Sequence, residues 1–223
     1  MRLFHLAFLA AFTLGAGSFI RFPAAFAAEK PEPVPQVADA LLRGDLREAF
    51  DTTMALAHAN DIDAQHNLSL FYWHGVGSSQ KFDEAVTWST MAAVRGHKKA
   101  ITARKIMVQA IDARAEKAAM DSVRKCLEYD AKWGDNSALL PLSTSYLKEF
   151  APPDDVKAYF WSSLAVSMGK IEARRQRDLI MANMKQPDIV KGQKLANEWL
   201  DEWRKNPKKP GDPCDLTKTP ATR

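Results

Sequence analysis

Apolar residues recur at helical spacing along most of this chain, and the recurrence itself repeats. Between Ala64 and Gly96, Ala64, Leu68, Phe71 and Tyr72 fall at i, i+4, i+7 and i+8, one face of an amphipathic helix. Gly75 and Gly77 close that helix and make the turn. Phe82, Ala85, Trp88, Ala92 and Ala93 then recur at helical spacing, and Gly96 ends the second helix. A Gly or Asn followed four residues later by Ala occurs at Asn60/Ala64, Gly96/Ala100, Gly134/Ala138 and Gly169/Ala173. The steps between those alanines are 36, 38 and 35 residues. Self-similarity of that length predicts stacked helix pairs rather than a single enzyme core.

The positions inside the frame agree. Eleven residues before each closing Gly or Asn stand Ala49, Ala85, Val123 and Ala158; eight before stand Thr52, Trp88, Cys126 and Trp161. Four before stand Leu56, Ala92, Asp130 and Ala165. Small or apolar residues dominate, as a buried seam between helices requires. The copies ending at Gly96 and Gly169 are strong, the one ending at Gly134 is degenerate, and the first is partial. Ala38 to Arg43 and Leu46 to Asn60 form a shortened first pair, broken at Gly44-Asp45. After Gly169 come an Arg-rich helix, IEARRQRDLIMANM, and a last helix opened by Pro187. Ile189, Ala196, Trp199, Leu200 and Trp203 form its apolar stripe, and a polar outer face would let it cap the stack.

These residues resemble the Sel-one-like repeat, a relative of the tetratricopeptide repeat. Ala64, Leu68, Tyr72, Gly75, Gly77, Asp83, Ala85, Trp88, Ala92, Ala93 and Gly96 match its pattern in one copy. Ala138, Leu142, Tyr146, Asp155, Lys157, Ala158, Trp161, Ala165 and Gly169 match in another. Ser69 and Ser143 depart from the first Gly of the pattern, and Pro152-Pro153 replaces one Gly loop. The likeness covers about Val37 to Met184. It implies an all-α fold, a right-handed α-solenoid of stacked antiparallel helix pairs, and work as an adaptor or scaffold.

The N-terminus changes the picture of where such a stack works. Arg2 precedes a stretch, Leu3 to Ile20, that is apolar apart from His5, Thr13 and Ser18. Ala25-Phe26-Ala27 then fits the small-x-small pattern of a cleaved export signal, with cleavage near Ala27 or Ala28. An uncleaved anchor is the alternative, since 18 residues approach the length that spans a bilayer. The expected organisation is a signal peptide over 1–28, a proline-rich leader over 29–36, the repeat stack with its capping helix over 37–205, and a disordered tail over 206–223. The location expected is the periplasm, or a membrane anchor facing it.

Charge adds little. The chain carries 31 Lys+Arg and 27 Asp+Glu, a formal net charge of +4. Without Arg2 and Arg21 the balance is 29 minus 27, or +2, which gives no case for nucleic acid. Two cysteines are too few for a disulfide framework. Cys126 falls where the two strong copies hold Trp88 and Trp161. That place predicts a buried structural thiol and argues against a bond to Cys214 in the tail.

No metal, cofactor or catalytic set is expected. His58, His66 and His74 are spaced by eight, which places two of them roughly 12 Å apart on one helix, too far to share an ion. No HExxH, GxSxG or P-loop pattern occurs. Asp154-Asp155 fits a helix N-terminus better than an acid/base pair. Some exported relatives of this repeat have β-lactamase activity, but they carry a cysteine pair in each repeat, which this chain lacks.

The expected function is therefore non-enzymatic binding of a partner protein or peptide in the groove of the first helices. On the tetratricopeptide frame the groove positions are Asp63, His66, Leu70, Trp73 and His74 in one copy, and Ser137, Leu140, Thr144, Leu147 and Lys148 in another. His66, Leu70, Trp73, His74, Thr144 and Lys148 are the candidate partner contacts. The competing possibility for Trp73 and Leu70 is packing on the neighbouring pair. A membrane-tethered structural spacer is the alternative function.

Overall fold

The computed structural model describes residues 35–150 and 153–207, with Cys214 and Leu216. The predicted signal segment and residues 29–34 of the leader lie outside the described residues. Among the described residues the regular structure is helical throughout, with no strand.

Among the described residues ten α-helices follow one another: α1 (Pro35–Arg43), α2 (Leu46–His58), α3 (Ile62–His74), α4 (Phe82–Val94), α5 (Lys98–Met107), α6 (Ala113–Lys132), α7 (Leu139–Ser145), α8 (Asp155–Ser167), α9 (Ala173–Met181) and α10 (Gln186–Lys205). Helix α1 starts at Pro35, inside the stretch read as leader, because proline is tolerated in a first helical turn. Each helix from α1 to α5 packs on the next, as do α6 to α9. Helix α4 also packs against α6, and α8 against α10.

The corners between helix pairs share one construction. Asn60, Gly96, Gly134 and Gly169 all adopt left-handed φ between 67° and 94°. Asn60 is the only non-glycine among the described residues to do so. The next residue donates its N–H to a carbonyl five positions back: Asp61 to Leu56 at 3.1 Å, His97 to Ala92 at 3.0 Å, Asp135 to Asp130 and Lys170 to Ala165 at 2.9 Å. This 6→1 bond is the Schellman closure of a helix end. Three of those residues then cap the following helix. The Asp61 carboxylate accepts from the Ala64 N–H, His97 Nδ1 from Ala100, and the Asp135 carboxylate from Ser137. One dipeptide thus ends one helix and starts the next. Gly44-Asp45 between α1 and α2 is a fifth copy, with Asp45 bonded to the Ala40 carbonyl and capping Glu48.

The predicted seam is buried apart from Thr52 and Leu56 in the partial first copy, which are half-buried. Ala64, Ala100, Ala138 and Ala173 are fully enclosed, as are Ala49, Ala85, Val123 and Ala158. Leu68, Leu142, Trp88, Cys126, Ala92, Ala93 and Ala165 are buried with them, and so are Trp161, Tyr72 and Tyr146. Alanine there lets neighbouring backbones approach, while Trp88 and Trp161 fill the space between.

Gly77 holds a different kind of close contact. A Cβ on Gly77 would lie 2.1 Å from the Leu46 carbonyl oxygen and 2.6 Å from Phe50 Cβ. The α3–α4 turn therefore rests on the start of α2 through a glycine. Gly96 has open space around its Cα. Gly77→Ala is expected to cost more than about 3 kcal/mol, through displaced backbone, whereas Gly96→Ala costs about 1–2 kcal/mol for its φ alone. Urea denaturation of both variants checks this, and equal losses would contradict it.

Candidate functional site

The groove residues read from the tetratricopeptide frame do not form a site together. Leu70 and Trp73 are buried: the Trp73 ring packs on Phe82 at 4.8 Å, filling the gap between α3 and α4. His66 is buried too, with its ring 4.5 Å from that of His97. Those three positions are structural: α4 of the same pair covers Trp73, and His97 at the start of the next pair meets His66. His74, at the end of α3, is exposed, and burial of its ring surroundings holds its pKa below the ordinary histidine value. Thr144 is half-buried and donates to the Leu140 carbonyl at 3.0 Å. Lys148 is exposed and lines a separate shallow cleft between α9 and the 147–149 turn that follows α7.

A concavity with aromatic walls lies among the second helices α6, α8 and α10. It is a cleft of about 550 Å³ lined by Phe160, Trp161, Trp199 and Trp203, with Glu128, Lys132, Glu202 and Asn206 around them. The sequence places the aromatics there by simple spacing. Trp199 and Trp203 are one helical turn apart on α10, so their rings lie nearly parallel, 10° between planes and 6.5 Å between centres. Trp161, at the seam position of the last strong repeat, meets Trp199 at 6.4 Å and 70°. Phe160 lies 4.4 Å from Trp161. Helix α10 reaches α8 through Gly192, where a Cβ would stand 2.7 Å from the Tyr159 ring. That approach brings the indoles of α10 within reach of Trp161. Trp199 and Trp203 remain half-exposed.

On the α6 wall Glu128 accepts from the Tyr146 hydroxyl at 3.3 Å. Burial, with the charge of Glu128 added, pushes the Tyr146 pKa up to about 12. On the α10 wall Glu202 is exposed, with Lys205 at 4.0 Å. The cleft thus has aromatic walls, two carboxylates and the Lys132 ammonium in its lining, with the Lys205 ammonium beside Glu202. Among the described residues, no group of three His, Cys, Asp or Glu side chains is placed to hold a metal ion.

The same α6 helix carries the disulfide. Cys126 and Cys214 are bonded, 88 residues apart in sequence. This corrects the expectation of a free buried thiol and of an unattached tail. Cys126 does fill the seam position, but its sulfur is met by the returning chain, and Leu216 is buried beside it in sequence. The remaining tail residues from 208 lie outside the described residues. The Cys214 N–H also donates to Asp130 at 2.9 Å. Closing a loop of that length contributes about 4–5 kcal/mol in the chain-entropy picture.

Asp130 is where the degenerate copy departs from the small-residue seam. Its carboxylate is buried and lies 3.7 Å from the buried Arg95 guanidinium, which donates to the Asn60 side chain at 2.9 Å. Three successive repeat ends and the tail are tied in one polar chain. Neither Arg95 nor Asp130 was legible as a pair, since they stand 35 residues apart, one repeat period. Burial draws both toward neutrality, lowering the Arg95 pKa and raising that of Asp130.

Two outcomes follow. Peptide mapping without reductant recovers a Cys126–Cys214 linked pair, and Cys214→Ser loses about 2–5 kcal/mol in urea denaturation. Arg95→Met alone loses about 3–5 kcal/mol by stranding Asp130, while Arg95→Met/Asp130→Leu returns to within about 1 kcal/mol of wild type. A double variant as unstable as the single one would show that the ion pair itself holds the repeats together.

No family model matches the chain, and no curated protein matches it either.

Proposed function

We propose that this chain is a non-enzymatic protein-interaction adaptor of the cell envelope, exported and oxidised, which binds its partner in the aromatic cleft between α6, α8 and α10. The observation that carries the reading is the half-exposed Trp199–Trp203 pair facing Trp161 and Phe160. Tryptophan is the residue type most enriched among binding hot spots, and half-exposed indoles in a concavity are costly to leave without a partner. A capping helix needs a polar outer face, and α10 instead turns two indoles toward a cleft.

The repeating corners and buried alanine seam support a superhelical stack of antiparallel helix pairs related to the Sel-one-like repeats, right-handed as that resemblance implies. The disulfide supports export, because disulfides persist in oxidising compartments. Among the described residues no helix is long and apolar enough to cross a membrane, so any tether would rest on the segment before residue 35. Burial of Leu70 and Trp73 favours the second-helix cleft over the first-helix groove as the place of binding.

The test uses the tagged, oxidised protein as bait in an envelope extract. Wild type and His74→Ala retain the same partner. Trp199→Ser/Trp203→Ser loses it, with helical circular dichroism unchanged. A partner that is indifferent to the double substitution would remove the cleft from the reading.

A further inference from the structure

We infer that the ligand of this cleft is an extended, proline-rich segment of a partner protein that carries a Lys or Arg side chain. The inference rests on the adaptor reading above and gives its partner a chemistry.

Three properties of the walls select the ligand. The first concerns hydrogen bonding. The walls are three α-helices, and helix interiors satisfy their own backbone N–H and C=O groups. No strand edge is present among the described residues to extend, so a ligand strand would find no ladder. The ligand backbone must do without one. A polyproline II segment does, because it has no internal hydrogen bonds and stays solvated.

The second is size and surface. A helix with its side chains is about 10–12 Å across, too broad to enter a cleft of about 550 Å³ whose walls are already crowded by four rings. A polyproline II ribbon is narrower and preordered, and its pyrrolidine rings lie against flat aromatic faces. Trp199 and Trp203 offer two such faces in nearly parallel array, and Trp161 stands across them at 70°.

The third is charge. Among the lining residues Glu128 and Glu202 outnumber Lys132, and Lys205 reaches Glu202 only at 4.0 Å. Glu202 is exposed on the α10 wall. A cationic side chain beside the prolines meets a carboxylate and an indole face together, where cation–π attraction adds to the ion pair. An acidic segment meets two like charges.

The experiment uses the purified, oxidised protein labelled with ¹⁵N-tryptophan and three synthetic 12-residue peptides. One alternates proline with small residues around a single arginine. The second replaces that arginine by glutamate, and the third is an alanine-rich helix bearing the same arginine. The first peptide is expected to shift the indole resonances of Trp161, Trp199 and Trp203 while leaving Trp73 and Trp88, which are buried and do not line the cleft, in place. The glutamate peptide binds at least about fivefold more weakly, and Glu202→Gln weakens the arginine peptide about three- to fivefold. Trp199→Ser weakens it by more than about tenfold. The inference is overturned if the first peptide leaves the three cleft indoles unmoved, or if the acidic or helical peptide binds as tightly. If it fails that way while Trp199→Ser/Trp203→Ser still loses the envelope partner, only the ligand chemistry is wrong. If the partner is indifferent as well, the adaptor reading of the cleft fails with it.

Discussion

A single hydrogen bond, made five times, sets the course of this chain. After each left-handed corner at Gly44, Asn60, Gly96, Gly134 and Gly169, the next N–H reaches the carbonyl five residues back. The bond stops one helix, and in four of the five corners the same residue caps the helix that follows. Because the turn is two residues long and fully bonded, it leaves little freedom in how successive helices meet. Alanines then decide how closely they meet. The wide residues, Trp88 and Trp161, decide what fills the remainder. Helices α6 and α8 each end at such a corner, and α10 is set on α8 through Gly192, so the cleft among them depends on both.

Much of this was legible in the order of residues. The corner glycines, the following alanines and the tryptophan eight positions before each strong corner are local signals whose physical meaning does not depend on distant contacts. They mark where helices end, and the seam positions read from them are buried except Thr52 and Leu56 of the partial first copy, which are half-buried. Asn60 was readable too, since asparagine is the next residue after glycine to accept that backbone; its side chain then serves Arg95, a contact one repeat away.

The rest depended on which surfaces the stack covers, and spacing does not report that. Trp73 and Leu70 occupy helix positions that a related frame assigns to an open groove, yet Phe82 and the α3–α4 packing enclose them. Trp199 and Trp203 read as an ordinary apolar stripe, and only the placing of α10 on α8 leaves them half-exposed beside Trp161. Asp130 looked like decay of the repeat, and it is the buried partner of Arg95 and of the Cys214 backbone. Cys126 was correctly placed in the seam, but a proline-rich, aperiodic tail gives no sign that it returns to the fold.

The cleft and the staple share α6, so the second-helix side carries both the disulfide that joins the chain end to the repeats and the aromatic concavity. A photo-crosslinking amino acid tests the choice of side most directly. Placed at position 202 on the cleft rim, and separately at position 74 on the exposed end of α3, it reports contacts in the producing cell. The account predicts a discrete adduct from position 202 and none from position 74. An adduct from position 74 alone would contradict it.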